Sequence, residues 1–133
     1  MLKLEIVTPE RKVVDVQADS VTVPTASGDA GILPQHAPLV SALRPGVLTY
    51  TVGANAERVA IAGGFVEVNA DRVSVLADSA ETADEIDPAA ARAQREVAEQ
   101  SLAAAINQPI EETEHLRDEV AVANAKLQIA GSR

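Results

Sequence analysis

Residues 72–93 read Arg72-Val-Ser-Val-Leu-Ala-Asp-Ser-Ala-Glu-Thr-Ala-Asp-Glu-Ile-Asp-Pro-Ala-Ala-Ala-Arg-Ala93. At its start, Val73 and Val75 alternate with Arg72 and Ser74, which is the period of a half-buried strand. Further on, Asp87 supplies a helix N-cap. Pro88 follows at the first helical position, where its missing N–H costs nothing. The residues after Pro88 are mostly alanine, the best helix former. One continuous segment thus passes from a strand pattern to a helix pattern. It divides the chain into a β unit, 1–84, and a helical unit, 85–133.

The flanking sequence agrees. Of the 17 valines among 133 residues, 14 lie within residues 1–80, with six of the seven glycines and five of the seven prolines. Residues 81–133 hold three valines and 13 alanines. β-Branched side chains fit a pleated surface. Short alternating runs recur at Leu2–Thr8, Val14–Val16, Val21–Val23, Val47–Val52, Val59–Ala62 and Phe65–Val68. Gly63-Gly64 and Asn69-Ala70-Asp71 are expected to form tight hairpins. The expected fold is an N-terminal antiparallel β-sandwich followed by a C-terminal antiparallel α-helical hairpin.

The first helix is expected to run from Pro88 to about Ile106, broken by Asn107-Gln108-Pro109. Pro109 is expected to open the second helix, with Glu111 and Glu112 in its first turn and Gly131 closing it. Leu116, Val120, Ala123, Leu127 and Ala130 form a heptad-type seam. The first helix answers with Ala90, Ala93, Val97 and Ala104, or with Ala91, Ala98, Leu102 and Ala105 on the adjacent stripe. Small side chains bury little area. The hairpin is therefore expected to be weakly held and to move.

Composition excludes several function classes. The net charge is −9, and Tyr50 and Phe65 are the only aromatic residues. Nucleic-acid binding needs a basic footprint and stacking platforms, and is not expected. Cysteine is absent, which removes thiol chemistry and disulfides. No apolar run approaches the length of a membrane span, so direct insertion is not expected. No signal or transit peptide pattern is visible. His36 and His115 lie far apart in sequence with no nucleophile motif or converging ligands, so catalytic and metal sites are not expected. Gly28-Asp-Ala-Gly31 lacks the lysine of a phosphate-binding loop.

Pro24 to Leu39 stands apart. It holds three prolines and two glycines, and is expected to be an irregular, rigid loop. Two readings stand. It is a docking surface, or it is a crossover whose Ile32 and Leu33 cap the core. Gly31-Ile-Leu-Pro-Gln-His-Ala-Pro-Leu39 and Leu43-Arg-Pro-Gly-Val47 resemble the epsilon-subunit family of bacterial F-type ATP synthases (delta in mitochondria). So do Leu4-Glu-Ile-Val-Thr-Pro9, Ala62-Gly-Gly-Phe-Val-Glu-Val68 and Val73-Ser-Val-Leu-Ala-Asp78.

The resemblance implies a non-catalytic rotor subunit in the central stalk. It would be peripheral on the cytoplasmic face of the bacterial inner membrane. It implies contact with the c-subunit ring through Asp29, Ala30, Gly31, Ile32 and Leu33, Asp29 being the acid at the loop tip. It implies contact with the gamma subunit near His36, Ala37 and Pro38. The hairpin, with seam residues Val97, Leu102, Leu116, Val120 and Leu127, would regulate ATP hydrolysis, with the alpha/beta catalytic head as a further partner. Nucleotide-binding members carry an Ile/Leu-Asp-x-x-Arg-Ala motif. Here Ile86 and Asp87 match, but Ala90 stands at the arginine position and Arg92 lies elsewhere, so an ATP cofactor is doubtful. The second helix is acidic, which argues against strong inhibition. The rival reading is a free-standing β-sandwich binding module whose seam serves as a dimerisation tail.

Overall fold

The structure, a computed structural model, describes residues 1–130. The expected Gly131 helix stop lies outside them. Ten strands precede the helices: β1 (Leu2–Val7), β2 (Lys12–Ala18), β3 (Ser20–Thr25), β4 (Gly28–Ile32), β5 (Leu39–Leu43), β6 (Gly46–Val52), β7 (Asn55–Ile61), β8 (Gly64–Asn69), β9 (Arg72–Ala77) and β10 (Ala80–Thr82). They run in the order β10-β7-β6-β3-β5-β8-β9-β1-β2, with β4 beside β3. The sheet folds over at β3 and β5, which share only the pair Thr25↔Leu43. This makes two layers. The pairings are antiparallel except for β1 with β9, which is parallel.

Strand alternation builds the core. Leu2, Leu4 and Ile6 of β1 point inward, and Lys3, Glu5 and Val7 are half-buried. They meet Val21, Val23, Leu48, Val59, Ile61, Val66, Val68, Val73 and Val75. These aliphatic side chains fill the space between the layers and exclude water, with the half-buried Tyr50 packed against them.

Two turn expectations divide. Ala70 (φ 52°) and Asp71 (φ 62°) form the two-residue turn of a β8–β9 hairpin, with Asn69 opposite Arg72. Both left-handed angles are those a type I′ turn requires. Gly63-Gly64 is not a hairpin. β7 pairs with β6 and β10, whereas β8 pairs with β5 and β9, so the glycines carry the chain from one layer to the other. Gly64 has φ 127°, and a Cβ there would lie 2.0 Å from the Leu76 carbonyl oxygen.

The segment expected to be irregular contains a regular hairpin. β4 pairs with β3 from Val21↔Ile32 to Thr25↔Gly28. Pro24 is tolerated because β3 has already left β6, at Thr22, and meets β5 only at Thr25. Its missing N–H therefore breaks no ladder.

Helix α1 (Pro88–Ala104) begins as expected, with the Asp87 carboxylate accepting from the N–H groups of Ala89 (3.0 Å) and Ala90 (3.3 Å). Pro109 does not open the second helix. It precedes a single 3-10 turn, Ile110–Glu112, and α2 (Glu114–Ala130) starts after Thr113. The buried Thr113 hydroxyl donates to the Ile110 carbonyl at 3.1 Å, which closes that turn. The expected seam also needs correction. Ala91, Ala98 and Ala105 are buried with Leu102 half-buried beside them, whereas Val97 is 63% exposed. The alanine stripe lets the helices approach closely, and Val97, one residue and about 100° away, turns to solvent. On α2, Leu116, Val120 and Leu127 are half-buried and Ala123 is fully buried.

Candidate docking site

Two features stand out on the sandwich. The first is the edge formed by β4, which pairs only with β3. Asp29 is on this strand, not at a loop tip. Its carboxylate accepts from the Arg44 guanidinium at 2.5 Å across an exposed pair. The Arg44-Pro45-Gly46 corner delivers that guanidinium. The Arg44 N–H donates to the Pro24 carbonyl at 2.9 Å, and Gly46 leaves room for the arginine, which would lie 3.3 Å from a Cβ. Ala30 is half-buried and Gly31 exposed. Ile32 is fully buried in the core, so it is not available for contact. Strand alternation puts it on the inward face opposite Val21. Leu33, the next residue, is 62% exposed.

The second feature is a short turn and the apolar face beside it. The His36 N–H donates to the Leu33 carbonyl at 3.1 Å, and the Gln35 N–H donates to the Asp71 carboxylate at 2.6 Å. The β8–β9 turn thus holds the segment that carries Leu33, His36, Ala37 and Pro38. His36 Nδ1 lies 2.6 Å from the Ala37 carbonyl. Beyond Pro38, Val40, Phe65 and Leu76 are all exposed on the outer face of β5, β8 and β9. Phe65 stands opposite Leu76 and Ala42 in the register. Val40, Phe65 and Leu76 also line an open cavity of about 270 Å³. Sequence reasoning missed these three. The available signal was phase: Val66 and Val75 face inward, so their neighbours Phe65 and Leu76 must face out.

The hairpin meets the other layer. Ala125 and Ile129 of α2 pack with Ala60 and Ile86, flanked by Val47, Ala83 and Leu127. Ala91 is the residue of α1 in this cluster, so α1 is held to the sandwich chiefly through α2. Two ion pairs border the junction. Lys126 Nζ lies 2.9 Å from Glu81, and the Arg11 guanidinium lies 2.6 Å from Glu85. The Arg11 hydrogen bond, aided by the Thr82 N–H, holds the Glu85 carboxyl below its ordinary range. Of the residues matched to a nucleotide motif, Ile86 is buried in the junction, Asp87 caps α1, and Arg92 is exposed. No group of metal-ligating side chains is present among the described residues.

A family model for the beta-sandwich domain of the ATP synthase delta/epsilon chain matches residues 1–83. The chain belongs to the ATP synthase delta/epsilon family. It is 50% identical over 100 residues to the ATP synthase epsilon chain of Desulforamulus reducens, covering 75% of this chain and 76% of that one. The epsilon chain of Herpetosiphon aurantiacus is 44% identical over 135 residues, covering 99% and 96%. That match extends through the hairpin. Among solved structures, a chain in the mitochondrial ATP synthase of Euglena gracilis superposes with a TM-score of 0.74 at 23% identity, over 99% of this chain and 81% of that one. A chain from the central stalk and c-ring assembly of Tetrahymena thermophila gives 0.54 at 18% identity, over 63% and 68%. These likenesses show a shared fold with chains of those assemblies. In that frame, the β4 edge and the Val40–Phe65–Leu76 face lie in the family's sandwich domain, and the Lys126–Glu81 pair ties that domain to its helical hairpin.

Proposed function

We propose that this chain is the non-catalytic rotor subunit that joins the gamma subunit to the c-subunit ring. Its unit 1–84 docks, and its unit 85–133 regulates ATP hydrolysis. The observation that carries this reading is the exposed apolar face of Val40, Phe65 and Leu76, whose Val40 lies on β5, the strand that follows the Leu33–Pro38 segment. Apolar side chains exposed side by side on a rigid sheet form a surface suited to a protein partner. Gamma is assigned to this face and to His36, Ala37 and Pro38. The c ring is assigned to the neighbouring edge at Asp29, Ala30, Gly31 and Leu33, where Arg44 fixes the one acid. The chain would then sit at the cytoplasmic face of a bacterial membrane as a peripheral subunit. No helix among the described residues is long and apolar enough to cross a membrane.

Copurification tests the assignment. Phe65→Glu with Leu76→Glu is expected to abolish capture of gamma, and Asp29→Lys to weaken attachment of the stalk to the c ring while gamma stays bound. Undiminished gamma capture by the double variant would refute it. Removing residues 88–133 is expected to raise ATP hydrolysis by the assembled complex. In the rival reading the α2 seam joins two chains, but Ala123 of that seam is fully buried within the hairpin.

A further inference from the structure

The far end of the hairpin holds the two most exposed large apolar residues of the described chain. Ile106, just past α1, is 81% exposed, and Ile110, in the 3-10 turn, is 74% exposed. They border an open cavity of about 470 Å³ whose apolar wall also includes Leu102, Ala105 and Val120. Arg117 lies in this cavity and acts as a strut. Its guanidinium donates to the Ile110 carbonyl at 2.8 Å and to the Thr113 hydroxyl at 2.5 Å. The turn that presents Ile110 is therefore fixed before any partner arrives, and less entropy is lost on binding.

The cavity lining holds one charge of each sign, Glu99 and Arg117, with Arg117 engaged by the turn, but the helical segments that form it are acidic. Between Glu96 and Glu119 the sequence has seven acidic residues and one basic residue, Arg117. Glu99 lines the cavity, and Glu111 and Glu112 are exposed beside Ile110. A second copy of this chain would bring like charge to the same place, and so would an acidic protein segment or an anionic lipid surface.

We propose that the hairpin tip is a docking site for a cationic amphipathic helix of a partner protein. Apolar side chains of that helix fill the cavity between α1 and α2, and its lysines or arginines meet the acidic rim. Grooves at helix ends take amphipathic helices through such anchors. The site is open while α2 rests on the sandwich, so it depends neither on hairpin movement nor on the gamma and c-ring assignments.

The test uses the full chain and two fluorescent synthetic helices. One carries leucine on one face and lysine on the other, and its counterpart carries glutamate in place of lysine. Fluorescence anisotropy is expected to show saturable binding of the lysine helix and none of the glutamate helix. Ile106→Ser with Ile110→Ser removes two exposed side chains and no charge. It is expected to weaken binding about tenfold or more, given the area each isoleucine can bury. Glu111→Gln with Glu112→Gln is expected to weaken it less, and more so at low salt. Unchanged circular dichroism of both variants confirms the fold. The proposal is overturned if the double serine variant binds the lysine helix as well as the native chain, if the glutamate helix binds equally, or if neither helix binds.

Discussion

Lys126 on α2 places its ammonium 2.9 Å from the Glu81 carboxylate on β10 and 3.3 Å from the Gln94 side-chain oxygen on α1. One side chain thus joins the sandwich to both helices. Its side chain is 19% exposed, the least of any ion-paired group in the described residues. Screening by water is reduced there compared with the surface pairs around it. Lys126→Met keeps most of the stem and removes the charge. It is expected to loosen the hairpin by about 1 kcal/mol, the upper end for a partly exposed pair. Amide exchange in α1 and α2 should quicken severalfold, with β1, β8 and β9 unchanged. Equal exchange in both proteins would show that the pair holds nothing.

The apolar part of the same junction rests on Ile129, which is fully buried against Ala60, Ile86 and Ala91. Ile129→Ala is expected to cost about 2–5 kcal/mol of local stability, because it opens a cavity in a small cluster with little else to fill it. Val97→Ala, on the outward stripe of α1, is expected to change stability by less than about 0.5 kcal/mol. Hydrogen exchange of the hairpin separates the two. If both variants behaved alike, α2 would not be the helix that carries the docking.

The sequence was most legible where a local pattern and a tertiary need coincide. Valine alternation located seven of the ten strands, missing β4, β5 and β10, and Asp87-Pro88 set the start of α1 to the residue. It failed where two local patterns were equally good. The stripes through Val97 and through Ala98 have the same periodicity, and only the close approach of α2 chooses between them. The prolines and glycines of residues 24–39 hid β4, because Pro24 is harmless only at the one place where β3 changes partners. The docking surface was half legible. The residues at 29–38 were found from a motif. Phe65 stood in a strand run and Leu76 only in a motif, and neither was read as exposed, since exposure depends on which face each layer turns to the core.

Two glycines should respond in opposite ways. At Gly64 the angle φ is 127°, and an added Cβ would meet the Leu76 carbonyl at 2.0 Å. Gly64→Ala must shift β8 from β9 and should cost several kcal/mol, about the range of large backbone effects. At Gly31 nothing lies within 4 Å and φ is not positive. Gly31→Ala is therefore expected to leave the melting temperature within about 2 °C, roughly the effect of a few tenths of a kcal/mol. That makes Gly31 a position where the proposed c-ring contact can be probed without a change in fold. Thermal unfolding of the two variants checks the contrast.

Acid should destabilise the fold through the carboxylates that hold partners. Glu85 accepts from the Arg11 guanidinium at 2.6 Å and from the Thr82 N–H at 3.0 Å, and both favour its charged form. Asp15 is lowered in the same direction by Lys3 and Lys12. A carboxyl whose folded pKa is depressed stabilises the fold above its unfolded pKa. That contribution is lost as pH falls through the lower folded value. For Glu85 the loss begins near the ordinary value of 4.5 and continues below it. The melting temperature is expected to be flat from pH 7 to about 5 on this account and then to fall, with partial loss already under way at pH 4. Glu85→Gln has no carboxyl to titrate at this position. Its melting temperature should lie below that of the native chain at pH 7 and converge on it by pH 3, while the slope due to Asp15 persists in both. Parallel curves across this window would mean that the Arg11–Glu85 contact contributes nothing to the joint between sandwich and hairpin.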